Sequence, residues 1–124
     1  MRTFSFILLF TFYIGCSDNQ SVNLSDEIEF GAGYSIITTS DLPNINNDTL
    51  DTKVSYSGCS DGHEFELKNR TANSTAELWL FKKTDDQPCD AYFEEEKTYN
   101  LSESILSAEN IVLITPTEDR ITLK

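Results

Sequence analysis

At 124 residues the chain has room for one domain. Its 21 acidic side chains against nine Lys and Arg give a net charge of −12, which excludes nucleic acid as a partner, because backbone binding needs clustered cations to release counterions. The same acidity repels anionic head groups, so a membrane link has to run through acyl chains rather than a basic surface. Its ordinary use is solubility.

The chain opens on Met1-Arg2, a minimal positive n-region, and then the uncharged run Phe4-Ser-Phe-Ile-Leu-Leu-Phe-Thr-Phe-Tyr-Ile14. That run is too short for a bilayer core, which takes roughly 20 apolar residues, and has the length of a signal-peptide h-region. Tyr13-Ile-Gly-Cys16 then gives way to Ser17-Asp-Asn-Gln-Ser. This junction resembles a bacterial lipobox, with small Gly15 before Cys16, although Tyr13 stands where the pattern has Leu, Val or Ile. The resemblance implies that residues 1–15 are a lipoprotein signal peptide. Cys16 then becomes the new N-terminus, diacylated with chains such as palmitate. It also implies a bacterial cell-envelope location, lipid-anchored, at the outer membrane on its periplasmic or surface face. The plainer alternative is a free or buried cysteine after an ordinary signal peptide, which bulky Tyr13 opposes.

Cysteine parity agrees with the anchor. Three cysteines in an exported protein leave one unpaired. With Cys16 on lipid, Cys59 and Cys89 remain as a pair, and export supplies the oxidising compartment in which they close. A loop of about 30 residues gives that disulfide roughly 3.5 kcal/mol in the chain-entropy account.

Residues 16–26 are polar and read as a flexible tether, leaving residues 27–124 as a single β domain. Glu27–Phe30 and Tyr34–Thr39 favour strand, with Gly31 and Gly33 at a bend. Residues 40–49 read as a loop by their Pro, Asn and Asp content. Val54 and Tyr56 alternate with polar neighbours, Ser57-Gly-Cys-Ser-Asp-Gly62 supplies turn residues, and His63, Phe65 and Leu67 share the next inward face. The whole stretch predicts a hairpin pinned by Cys59. Residues 69–75 read as a second loop. Ala76–Lys82 is apolar on both faces, as a central strand is. Ala91–Tyr99, Ile111–Ile114 and Arg120–Leu123 complete the strands, and Leu101, Ile105 and Leu106 fit one helical turn. About seven or eight short strands predict an all-β fold: a small disulfide-tied sandwich, immunoglobulin-like or a partly open barrel. The immunoglobulin spacing of Cys, Trp and Cys is not met, so the topology stays open.

Chemistry-bearing residues are few. Cys59-x-x-x-His63 with Cys89 and Asp90 offers ligand types suited to zinc, and a periplasmic metal-binding protein is the alternative reading. Against it stand the oxidising compartment and the lack of a paired C-x-x-C. A lone inward histidine is more often a hydrogen-bonded core residue. A calcium set from Asp61, Asp85, Asp86 and Asp90 has no fixed ligand order. With one His and no G-x-S-x-G the chain is expected not to be an enzyme, and no cofactor is expected. Asp85-Asp86 and Glu94-Glu95-Glu96 read as solvated surface.

Tyr56-Ser-Gly-Cys-Ser-Asp-Gly-His-Glu-Phe-Glu-Leu67, then Leu78-Trp-Leu80 and Asp86-x-x-Cys-Asp-Ala-Tyr92, resembles a group of small bacterial lipoproteins. They carry a Gly-Cys…His-x-Phe-x-Leu segment and a later Asp-x-x-Cys-x-Ala segment. The match covers about residues 50–123 and implies placement rather than mechanism. The expected protein is a monomeric, lipid-anchored binding or structural module, with inhibition of an exported hydrolase as a further alternative.

Overall fold

The computed structural model describes residues 28–124, so the leader, Cys16, the tether and Glu27 lie outside the described residues. Two β-sheets face each other. In the first, β3 (Thr49–Gly58) is central. Along one edge it pairs antiparallel with β6 (Ala91–Asn100) over ten positions, from Thr49↔Asn100 to Gly58↔Ala91. The other edge is shared by β1 (Ser35–Ile36), opposite Ser55 and Val54, and β2 (Asn44–Asn46), opposite Asp51 to Thr49. The second sheet runs β4 (Phe65–Ala72), β5 (Thr75–Lys82), β7 (Asn110–Ile114), β8 (Arg120–Thr122). Its β5–β7 pair is parallel, and β6 with α1 (Glu103–Leu106) forms the crossover that parallel neighbours need.

The period-two pattern builds the core. On β3, Leu50, Thr52, Val54 and Tyr56 point inward and are buried; on β5, Ala76, Leu78, Leu80 and Lys82 do the same. At one end Leu50, Leu78, Ile105, Ile111 and Leu113 pack together, and burial of each such side chain stabilises by about 1.5–3 kcal/mol. At the other end the filling is aromatic: Tyr34, Tyr56, Val54 and Leu80, flanked by Phe65, Phe93 and Tyr99. β5 is central as its two apolar faces predict. Its outer Phe81 and Trp79 are covered by Lys68 (4.9 Å from the ring centroid) and Arg70 (5.8 Å).

Several sequence expectations need correction. The Val54–Leu67 stretch is not a hairpin: β3 pairs with β6, β1 and β2, while β4 pairs with β5. Residues 59–64 instead arch from one sheet to the other, which puts Tyr56 and Phe65 in one core cluster from opposite sides. The predicted loop 69–75 shrinks to a two-residue turn, Asn73-Ser74, with φ of 51° and 65°, the positive pair that matches strand twist in a tight hairpin. Its polar run belongs to β4, an edge strand, where exposed polar side chains discourage further pairing. The predicted loop 40–49 likewise holds β2, and Asn47 at φ 58° turns it into β3. Only Ser35–Ile36 of the predicted strand 34–39 is a strand. Ile28–Phe30 makes none, and the chain meets β5 there through a bridge at Gly31↔Lys82. Gly31 has φ +74°, and a Cβ on it would overlap the Lys82 carbonyl.

Candidate functional site

The arch and the loop after β5 meet at the disulfide. Cys59 and Cys89 are joined, with Cα atoms 4.8 Å apart and 30 residues between them. A non-repetitive crossing leaves backbone donors without a ladder, and each needs another partner. Side chains supply nearly all of them here. Gln87 Oε1 accepts from Cys59 N (2.7 Å) and Ser60 N (3.3 Å). Glu95 Oε1 accepts from Gly62 N (2.6 Å), the Tyr56 hydroxyl from His63 N (3.2 Å), and Thr84 Oγ1 from Glu64 N (2.8 Å). Lys97 Nζ donates to the His63 carbonyl (3.1 Å) and pairs with Glu95 Oε2 at 2.9 Å.

His63 sits beneath this crossing, 2 % exposed. Its ring stacks on Tyr56 at 4.1 Å and 18°. Nε2 lies 3.2 Å from Gln87 Oε1. That oxygen already accepts two backbone N–H groups, so His63 Nε2 carries the proton and donates, while buried Nδ1 has no partner among the described residues. Gly58 admits this approach, because a Cβ there would stand 2.8 Å from Gln87 Oε1 and 2.9 Å from His63 Cε1.

Two lysines flank the aromatic cluster. Lys82, 1 % exposed, donates to the Gly33 carbonyl (3.1 Å), pairs with Asp86 at 3.5 Å and lies 5.1 Å from the Tyr56 ring centroid. Asp86 also accepts from Gly33 N at 3.0 Å. Burial raises the Glu95 carboxyl toward the neutral form, but the Lys97 and Gly62 hydrogen bonds outweigh it and hold it below the usual carboxylate value. Burial also pushes the Tyr56 and Tyr34 phenols up, and Tyr99 up to about 12.

The predicted site residues fall as follows. Cys16 lies outside the described residues. Cys59 and Cys89 form the expected disulfide, so neither sulfur is a thiolate for the zinc set. His63 faces the core, held by Gln87, and Asp90 is exposed beside Cys89. Among the described residues no three His, Cys, Asp or Glu side chains gather as metal ligands do. Comparison with protein-family models, curated proteins and solved structures finds no match to this chain. Its chemistry is therefore argued from its own residues.

Sequence reasoning missed Gln87, Glu95, Lys97 and Lys82. For Lys82 and Glu95 a signal existed: Lys82 continues the inward phase of Ala76, Leu78 and Leu80, and Glu95 that of Phe93. No local pattern marks Gln87.

Above the arch, the outer face of the first sheet carries one more feature. Ser35 lies opposite Ser55 and Ser57 opposite Tyr92, all facing away from the core. With Asp86 and Gln87 they line a shallow concavity of about 350 Å³. Tyr92 is 62 % exposed.

Proposed function

We propose that the protein is a lipid-anchored binding module of the bacterial cell envelope, without catalysis of its own. The observation that carries this reading is the Cys59–Cys89 disulfide. It takes two of three cysteines and leaves Cys16, behind an apolar leader, as the odd one. A disulfide whose two cysteines are both exposed persists in an oxidising compartment and not in a reducing one, which agrees with export. The histidine supports a structural role for the arch. Its Nε2 is committed to Gln87 and its ring, Nδ1 included, is shut from solvent, so it lacks the access to a substrate that a base or nucleophile partner needs.

Intact mass of the protein extracted from membranes tests the anchor. The expected species begins at Cys16, carries a diacylglyceryl group in thioether linkage, and is two hydrogens lighter than its reduced form. A Cys16→Ala chain is expected to leave the membrane fraction. A mature wild-type chain without acyl mass would falsify the anchor.

A further inference from the structure

We infer that the Tyr92 face is a binding site for neutral saccharides. The inference deepens the binding-module reading by naming its ligand class and does not depend on the anchor. Tyr92 is the large hydrophobic side chain left exposed among the described residues. A single exposed ring is unremarkable by itself; here it borders a concavity that also gathers polar groups, the combination that ligand sites present. The ring is also held in place. Its hydroxyl donates to Glu94 Oε1 at 3.2 Å, and Glu94 Oε2 pairs with Lys53 at 3.1 Å, so little rotamer freedom remains to be lost on binding.

Beside the ring lies a floor of small hydroxyl side chains, Ser35, Ser55 and Ser57, brought together by the β1–β3–β6 register. No hydrogen bond within the protein occupies these hydroxyls among the described residues. Each is both donor and acceptor. Asp86 and Gln87 form the rim, Asp86 oriented by its hydrogen bond from Gly33 N and Gln87 by its bonds to the arch. A flat aromatic face next to convergent hydroxyl, amide and carboxylate groups matches a pyranose, whose C–H face is apolar and whose edge carries hydroxyls. A flat aromatic ligand would leave the serines unused, and a peptide strand would meet an edge already taken by β1 at Ser55. Charge decides the rest. No Lys or Arg lines the concavity, and the chain carries −12, so sulfated and uronic glycans find no cation there and meet a repelling overall charge, which leaves neutral or N-acetylated sugars.

The test is calorimetric titration of the full chain in detergent with chitotetraose, cellotetraose and maltotetraose, and with tetragalacturonate as the anionic probe. Saturable binding of at least one neutral oligosaccharide is expected. It should weaken about tenfold in Tyr92→Ala, the size of one lost ring contact, and survive in Tyr92→Phe. Because Tyr92 is exposed, both variants are expected to keep the wild-type melting temperature. No binding of any neutral probe, binding unchanged in Tyr92→Ala, or preference for tetragalacturonate would each overturn the proposal. Each of those results leaves the acyl mass at Cys16 unaffected, and a missing acyl group leaves the titration unaffected, so the two readings fail separately.

Discussion

Gly58 and Lys82 show how much of this molecule turns on single positions. A methyl at Gly58 would press on Gln87 Oε1 and the His63 ring, two side chains that have nowhere better to go because both hold the arch. Gly58→Ala is expected to cost about 1–3 kcal/mol, read as a lower urea midpoint at unchanged slope. Lys82 leads to the opposite expectation. Its ammonium is buried, yet its carboxylate partner Asp86 is 72 % exposed and 3.5 Å away, a weak return for desolvating a charge. Lys82→Met removes the buried charge, fills similar volume, and leaves Asp86 in water. It should be neutral or stabilising by up to about 2 kcal/mol, whereas Asp86→Ala, which strands the ammonium, should destabilise. A loss of several kcal/mol in Lys82→Met would show that the lysine holds the structure together. The inward aim of His63 could be read from its phase with Phe65 and Leu67. Glu95 shares the phase of Phe93, but that signal is masked by a run of three glutamates, which looks solvated until the strand is known to alternate.

At the level of elements, the strands were more legible than their connections. β5, β7, β8 and the helical turn follow from periodicity and apolar content. By sequence the arch looks like a hairpin, because Ser57–Gly62 holds turn-forming residues in either case. What separates an arch from a hairpin is which strands compete for the edges of β3, and β6 wins with ten paired positions. The arch then depends on distant side chains: Gln87, Glu95, Lys97 and Thr84 lie 20 to 34 residues from the backbone groups they bind. Such partners leave no local pattern. The disulfide ties this element together, and removing it has a distinct signature. Cys59→Ala/Cys89→Ala should lose roughly 3.5 kcal/mol by the loop-entropy account. In hydrogen exchange the variant should lose protection first at Cys59 to Glu64, with β5 and β7 still slow. A uniform loss across all strands would mean that the arch is not a separate unit of stability.

For the whole molecule, charge sets two opposing responses to acid. Self-repulsion at −12 weakens as carboxylates protonate, which favours the compact state. Glu95 acts the other way. Its folded-state proton affinity lies below that of the unfolded chain, whose value is about 4.5. Its contribution is therefore complete above that pH and is lost as pH falls through the lower folded-state value. Glu94, drawn down by Lys53, follows the same sign from an exposed position. Comparing wild type with Glu95→Gln isolates the local effect from the global one, since the two chains share nearly all of the self-repulsion. At pH 7 the variant should be less stable by about 1.5–3 kcal/mol, the scale of hydrogen bonds to a charged group. The gap should close as pH drops below 4.5, because the wild-type carboxyl then takes up the proton that the amide never needs. A gap that stays constant down to acid unfolding would mean that Glu95 contributes through packing alone. In that case the Lys97 and Gly62 contacts would not be what holds the arch down.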